Sequence, residues 1–306
     1  MRITYSMMTS RALDDLRSAS ASLIEAQERA SSGKRIRKPS DDITGTGQVM
    51  RLRSALSEID QFERNSKIAR TQLTMTESTL QSIASSIGRV KDLATQAGSP
   101  LLSESARDSI VAELDEITNA LAAAGNTQFA GTYIFAGSES KTKPIAANTV
   151  PPGTPPYTYE GDSSTFQVRV APGVHMAANV TGNAVFNMGS VSVPGSPDVF
   201  ETIRLLKEEV ISGPVDAISA RLTDITDNLD NVNNMRSQVG ARLNRLDAMD
   251  INLADSKVAF QELISKTEDA DLAEAILDLQ TRQNVYQAAI AATSRLLQVS
   301  LSNYLE

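Results

Sequence analysis

The chain contains no cysteine and no tryptophan. Without thiols it has no disulfides, no thiolate nucleophile and no cysteine metal site. Aromatic residues are only 4% of its 306 residues, although 41% are hydrophobic. The apolar content is therefore largely aliphatic, with much alanine, and suits thin helix–helix seams better than one thick core. His175 is the single histidine. It lies in a Gly/Pro-rich stretch with no neighbouring nucleophile, which argues against a general base. The chain carries neither a Gly-x-Ser-x-Gly elbow nor a Gly-x-x-x-x-Gly-Lys-Ser/Thr phosphate loop. No enzymatic activity and no cofactor are expected. The acidic pairs Asp41/Asp42 and Asp269/Asp271 lack calcium-loop spacing, so no metal is expected either.

Charge and hydropathy exclude further classes. The net charge of −8 gives no global attraction to nucleic acid or to an anionic membrane. The basic run from Lys34 to Lys38 has no interleaved aromatics and no base-reading motif, so nucleic-acid binding is not expected. No apolar run approaches the ~20 residues that span a bilayer. Met1 to Met8 lack the charged head, apolar middle and small-residue cleavage site of a secretory signal. If the protein leaves the cell, a route without a cleaved signal is expected.

Proline and glycine divide what remains. Residues 1–128 hold two of the eleven prolines, and residues 129–197 hold eight, with eight of the sixteen glycines. Residues 215–306 hold no proline and only Gly240. The outer zones read as helical and the middle as turns and short strands. Helices are predicted over about 9–30, 47–96 and 103–124, then from Ser196-Pro197 to Gly213-Pro214, then over about 215–265 and from Asp269 onward. Serine at 196 would be the N-cap and Pro197 the first helical residue. Strands are predicted at 132–135, 157–159 and 166–170, with Gly161 to Ser164 as a hairpin turn between the last two. Residues 150–156 form a proline-rich loop. The helix over 215–265 would be ~75 Å long, which suits a rod and not an ordinary globular domain.

The terminal helices carry apolar residues at three- and four-residue spacing. The predicted seam is Leu13, Leu16 and Leu23, with Ala12, Ala19 and Ala26 beside them, and Leu272, Ile276, Leu279, Tyr286, Ile290, Leu297 and Leu301. Such a repeat must be buried against another helix. The ends are therefore expected to pair with each other and with copies of each other. The basic connector Lys34, Arg35, Arg37 and Lys38 and the acidic residues Asp41, Asp42, Asp269 and Asp271 sit where terminal helix meets rod. Asp41 or Asp42 is expected to cap the next helix or to order the connector.

Two separated segments then resemble the bacterial flagellins. One is Ser31-Ser32-Gly33-Lys34-Arg35-Ile36-Arg37-Lys38-Pro39-Ser40-Asp41-Asp42 and the small-residue helix start after it. The other is Val239-Gly240-Ala241-Arg242-Leu243-Asn244-Arg245-Leu246, followed by Glu268 to Glu274. The middle zone, with Tyr133-Ile134-Phe135-Ala136-Gly137 and Tyr159-Glu160-Gly161-Asp162, is similar to the hook–filament junction branch of that family. The resemblance implies a mainly α fold with a small β-rich insert, a long antiparallel helical rod of flagellin type, and terminal helices forming an inner-tube domain. The expected segments are 1–44 (helix and connector), 45–130 (rod), 131–197 (β-rich insert), 198–265 (rod) and 266–306 (C-terminal helix).

The resemblance also implies a secreted structural subunit, exported unfolded and located in the flagellum at the hook–filament junction. Its partners would be further copies of itself, the first hook-associated protein, flagellin, and an export chaperone on its C-terminal region. Two alternatives stand beside it: a filament flagellin, and a surface adhesin carried on the β insert. Residues 1–30 and 270–306 are expected to be largely disordered in a lone subunit, because a helix with a wet apolar seam is only marginally stable.

Overall fold

The computed structural model describes residues 5–148, 156–189, 197–213 and 215–304. The proline-rich loop expected at 150–156 and the serine cap expected at 196 fall largely outside them. The chain is mainly helical, with α1 (Tyr5–Ser32), α2 (Ile43–Ala97), α3 (Glu104–Gly125), α4 (Gly182–Phe186), α5 (Val199–Ser212), α6 (Val215–Glu268) and α7 (Leu272–Tyr304). Its contacts divide it into a terminal unit, 1–58 with 255–306, and a central unit, 59–254.

The central unit is a helical bundle built on sevens. In α2, Ile59, Ser66, Leu73, Leu80, Ile87 and Ala94 form one buried row, and Phe62, Ala69, Thr76, Ile83, Val90 and Ala97 form another. In α6, Ile218, Ile225, Val232, Val239, Leu246 and Leu253 repeat the interval. A sustained seven-residue repeat keeps one stripe of a helix facing its partner over many turns. Polar contacts set direction. Ser66 Oγ donates to Asp250 Oδ1 at 2.6 Å, and Arg236 Nη2 to Glu77 Oε1 at 3.0 Å. As numbers rise along α2 they fall along α6, so the two are antiparallel. The Arg89–Glu113 and Lys207–Asp115 pairs tie α3 to α2 and to α5.

Helix ends follow local chemistry. Ser103 caps α3 by accepting from the Ala106 N–H at 3.3 Å. The sequence reading is corrected at α5. Pro197 lies outside the helix, which begins at Val199, and Asp198 caps it by accepting from Glu201 N at 2.7 Å.

The middle zone holds three antiparallel pairs: β1 (Gln128–Phe129) with β2 (Thr132–Tyr133), β3 (Ile145–Ala147) with β4 (Tyr157–Tyr159), and β5 (Gln167–Ala171) with β6 (Val174–Ala177). Residues 161–164 therefore do not turn a hairpin between β4 and β5. Each of those strands has another partner that the sequence reading did not include. The expected strand 132–135 stops at Tyr133, because Ile134, Phe135 and Ala136 are drawn into the core. Ala130 and Gly131 turn the first hairpin with φ of 49° and 80°, the backbone of a tight two-residue hairpin.

Candidate assembly joint between the terminal helices

The terminal unit is organised by the connector between α1 and α2 and the short break between α6 and α7. Gly33 ends α1 with a φ of 67° and an N–H bonded to Arg29 O at 2.9 Å, a left-handed stop suited to glycine. Residues 34–36 then run against the end of α6. Lys34 and Asp269 form an antiparallel bridge, Ala270 N donates to Gly33 O at 2.9 Å, and Arg35 N donates to Glu268 O at 2.7 Å.

Glu268 is the centre of this joint. It is only 7% exposed. Its Oε1 accepts from Lys34 Nζ at 2.6 Å and from Arg53 Nη2 at 2.9 Å, and its Oε2 accepts from Arg53 Nη2 at 2.7 Å. A carboxylate taken out of water needs such charge-assisted partners. Arg53, which completes the site, was absent from the sequence-level charge reading. Nothing in its spacing pairs it with a residue 215 positions away.

The remaining connector charges pair locally. Arg35 Nη2 donates to Thr267 O at 2.8 Å and to Asp42 Oδ2 at 3.2 Å. The Arg37 guanidinium pairs with Glu28. Asp41 Oδ2 accepts the N–H groups of Arg37 and Lys38 at 3.0 and 2.8 Å. Asp42 Oδ1 accepts from Gly45 N at 2.8 Å and so caps α2. These bonds favour the ionised forms and hold both aspartates below the usual carboxylate range, chiefly through the Lys38 N–H for Asp41 and the Gly45 N–H for Asp42. Asp271 caps α7 through Ala273 N at 2.8 Å, and Asp269 accepts from Ser265 Oγ at 2.6 Å. The first turn of α2 needs its glycine at 45, because a Cβ there would lie 2.6 Å from both Asp42 Oδ2 and Ile36 Cδ1.

From the joint, α1 packs along α7. The residues turned inward run on sevens: Ala12, Ala19 and Ala26 with Leu16 and Leu23 on α1, and Ala275, Arg282 and Ala289 with Leu279, Tyr286 and Thr293 on α7. Other members of the predicted seam lie elsewhere. Leu13, Leu272, Ile276 and Ile290 are exposed, Ile276 by 50%. The side chains of Leu297 and Leu301 lie outside the described residues. The reason is angular. One residue turns a helix by about 100°, so placing Ala275 inward turns Ile276 away. The intrachain seam mixes alanine with Leu16, Leu23, Leu279 and Tyr286, and a second set of aliphatics is left outside it. Met7, Met8, Ile24, Leu277 and Val285 add to that exposed apolar surface.

With this geometry, the comparisons are specific. A model of the bacterial flagellin N-terminal helical region matches residues 3–140, and one of the C-terminal helical region matches residues 222–305. The chain belongs to the flagellin family. Within that family its likeness to hook-associated protein 3 runs end to end. The flagellar hook-associated protein 3 of Escherichia coli is 23% identical over 98% of this chain and 98% of its own. The filament 30.7 kDa core protein of Treponema maltophilum is 25% identical over 86% of this chain and 85% of its own. A solved flagellar hook-associated protein from Vibrio parahaemolyticus superposes with a TM-score of 0.66 at 25% identity. It covers 75% of this chain and 100% of that one.

Proposed function

We propose that this chain is a structural subunit of the bacterial flagellum that joins the hook to the flagellin filament. The observation that carries the reading is the end-to-end likeness to hook-associated protein 3, together with terminal helices that leave Leu13, Ile24, Leu272, Ile276, Leu277 and Ile290 exposed. Exposed apolar surface on this scale marks an assembly face. Among the described residues no helix is long and apolar enough to cross a membrane. The partners are further copies of the chain, the first hook-associated protein on the hook side and flagellin on the filament side. A chaperone holds the C-terminal region before export. The protein acts by position and not by catalysis.

A filament subunit is the second reading, favoured by the likeness to the Treponema filament protein. A deletion strain separates the two. Loss of a junction subunit leaves hooks without filaments and spills flagellin into the medium, whereas loss of one filament subunit leaves the hook-proximal junction in place. Filaments still attached to hooks in the deletion strain would overturn the junction reading.

The α1–α7 pair closes on alanines and a few half-buried larger side chains, most of them short of full burial, and so buries little apolar area. In a lone subunit the pair is therefore marginal, and it gains its stability when neighbours cover the outer aliphatics. Hydrogen exchange tests this. The amides of α1 and α7 should exchange rapidly in the free subunit and at least about 100-fold more slowly in isolated flagella. Protection in the free subunit equal to that of the α2 core would refute it.

A further inference from the structure

The polar side chains buried in the central unit have partners close at hand. Ser66 Oγ donates to Asp250 Oδ1 at 2.6 Å, Thr76 Oγ1 to Gln72 O at 2.9 Å and Thr79 Oγ1 to Met75 O at 2.9 Å. Asn179 Oδ1 accepts from Phe166 N at 2.8 Å, and its Nδ2 donates to Ser164 O at 3.1 Å. Asn228 stands apart from these. It is 2% exposed, and its Oδ1 has no hydrogen-bond partner among the described residues. An amide oxygen held out of water in this way is costly until something donates to it.

The repeat on α6 puts it there. Asn228 comes three residues after Ile225 and four before Val232, both buried, so the helix carries its amide into the core. There it meets the start of α5. Asn228 Nδ2 donates to Pro197 O and to Thr202 Oγ1, each at 3.2 Å. A carbonyl oxygen can only accept, so the amino group of Asn228 faces Pro197 O and its oxygen points the other way. The Thr202 hydroxyl donates to Asp198 O at 2.8 Å, with Pro197 O further off at 3.4 Å. It takes the Asn228 amino group on one lone pair and keeps the second.

Asn228 and Thr202 both line a cavity of about 10 Å³ where α2, α5 and α6 meet. Its other walls are Ile87 and Val90, Val199 and Ile203, and Ile225. All of these side chains are at most 2% exposed. The volume is about the least that holds one water, and it is too small for an organic ligand. A divalent cation would call for about six oxygens or more, and the lining side chains offer two. An occupant that suits two acceptors in this space is a small double donor.

We propose that the cavity is a binding site for one buried water molecule, which donates one hydrogen to Asn228 Oδ1 and the other to Thr202 Oγ1. The water completes a polar contact in an otherwise apolar seam. With it, every atom of the Asn228 amide that can bond does so. Sliding α5 along α6 would break the bonds to Pro197 O and Thr202 together, so the hydrated amide fixes where α5 sits. A water that serves groups otherwise unpaired in this way is costly to remove. The site lies wholly in the central unit and is independent of the flagellar reading.

Diffraction from crystals of the full-length subunit tests it, at a resolution that shows buried waters elsewhere in the core. Wild type should show a density peak at about 2.5–3.0 Å from both Asn228 Oδ1 and Thr202 Oγ1, the range of an O–H···O bond. Asn228→Leu keeps the bulk of the side chain and removes the acceptor, and it should lose the peak. Wild-type density without the peak would overturn the proposal. So would a peak that persists in Asn228→Leu, since other groups would then hold the water. Should the leucine variant fail to fold, the wild-type density decides alone.

Discussion

Glu268→Lys is expected to remove the protein from flagella while leaving the central unit's melting unchanged. Glu268 is nearly buried and receives both Lys34 and Arg53. Reversal would set three cations where one carboxylate now joins the connector, α2 and the end of α6. The outer parts of Lys34 and Arg53 reach water, which limits the repulsion. A cost of about 2–4 kcal/mol to the joint is expected. The amount of protein in sheared flagella should fall by at least about tenfold, because the cost falls on the assembled arrangement. Glu262→Lys is the control. Glu262 pairs with Lys266 one turn away, at 2.7 Å on an exposed surface, where solvent screens the pair and leaves it little weight in stability. Normal incorporation of the Glu268 variant would show that the joint is not needed for assembly.

Gly137→Ala is expected to destabilise the central unit more than any other single methyl. Gly137 holds a φ of 72°, and a Cβ there would lie 1.8 Å from Asp162 Oδ1 and 2.5 Å from Asp162 O. Asp162 cannot step aside without loss. Its Oδ1 accepts from Ser138 N at 2.6 Å, its Oδ2 takes the Ser138 hydroxyl, and its carbonyl accepts from Tyr159 Oη at 2.8 Å. These bonds, led by the Ser138 hydroxyl, hold the Asp162 carboxyl down at about 2. Burial pushes the Tyr159 phenol up to about 12, so it stays a donor. Left-handed strain and displaced hydrogen bonds together should cost about 3 kcal/mol or more, read as a fall in denaturation midpoint. Gly173→Ala separates the two causes. Gly173 has a φ of 71° but nothing within 4 Å of an added Cβ, so only the conformational cost of about 1–2 kcal/mol applies. Equal losses at the two glycines would show that the Asp162 clash carries no weight.

The Gly137–Asp162 lock also shows how far the sequence could be read. Tyr133 to Gly137 and Tyr159 to Asp162 were visible as two separate motifs. That they clasp each other is a tertiary fact: Tyr159 Oη reaches Phe135 O at 2.9 Å, and Asp162 N reaches Ala136 O at 3.2 Å. Strand pairing failed for the same reason. β4 was placed correctly but given β5 as neighbour, because a short strand carries no record of its partner, and β3 and β6 have weak patterns of their own.

The long helices were legible because a helix is a local object. Its hydrogen bonds close within four residues, and one proline-free stretch with a repeating apolar stripe is enough to specify it. The mainly α fold, the β-rich middle and the glycine stop at 33 were set by the sequence in this way. What only the tertiary structure decided is which stripe meets which. On α7, Ala275, Arg282 and Ala289 turn inward while Ile276 and Ile290, each one residue further on, turn out. On α1, Leu16 and Leu23 go in with Ala12, Ala19 and Ala26, and Leu13 stays out. The sequence by itself established that the termini need partners. The fold decided which faces remain open to them.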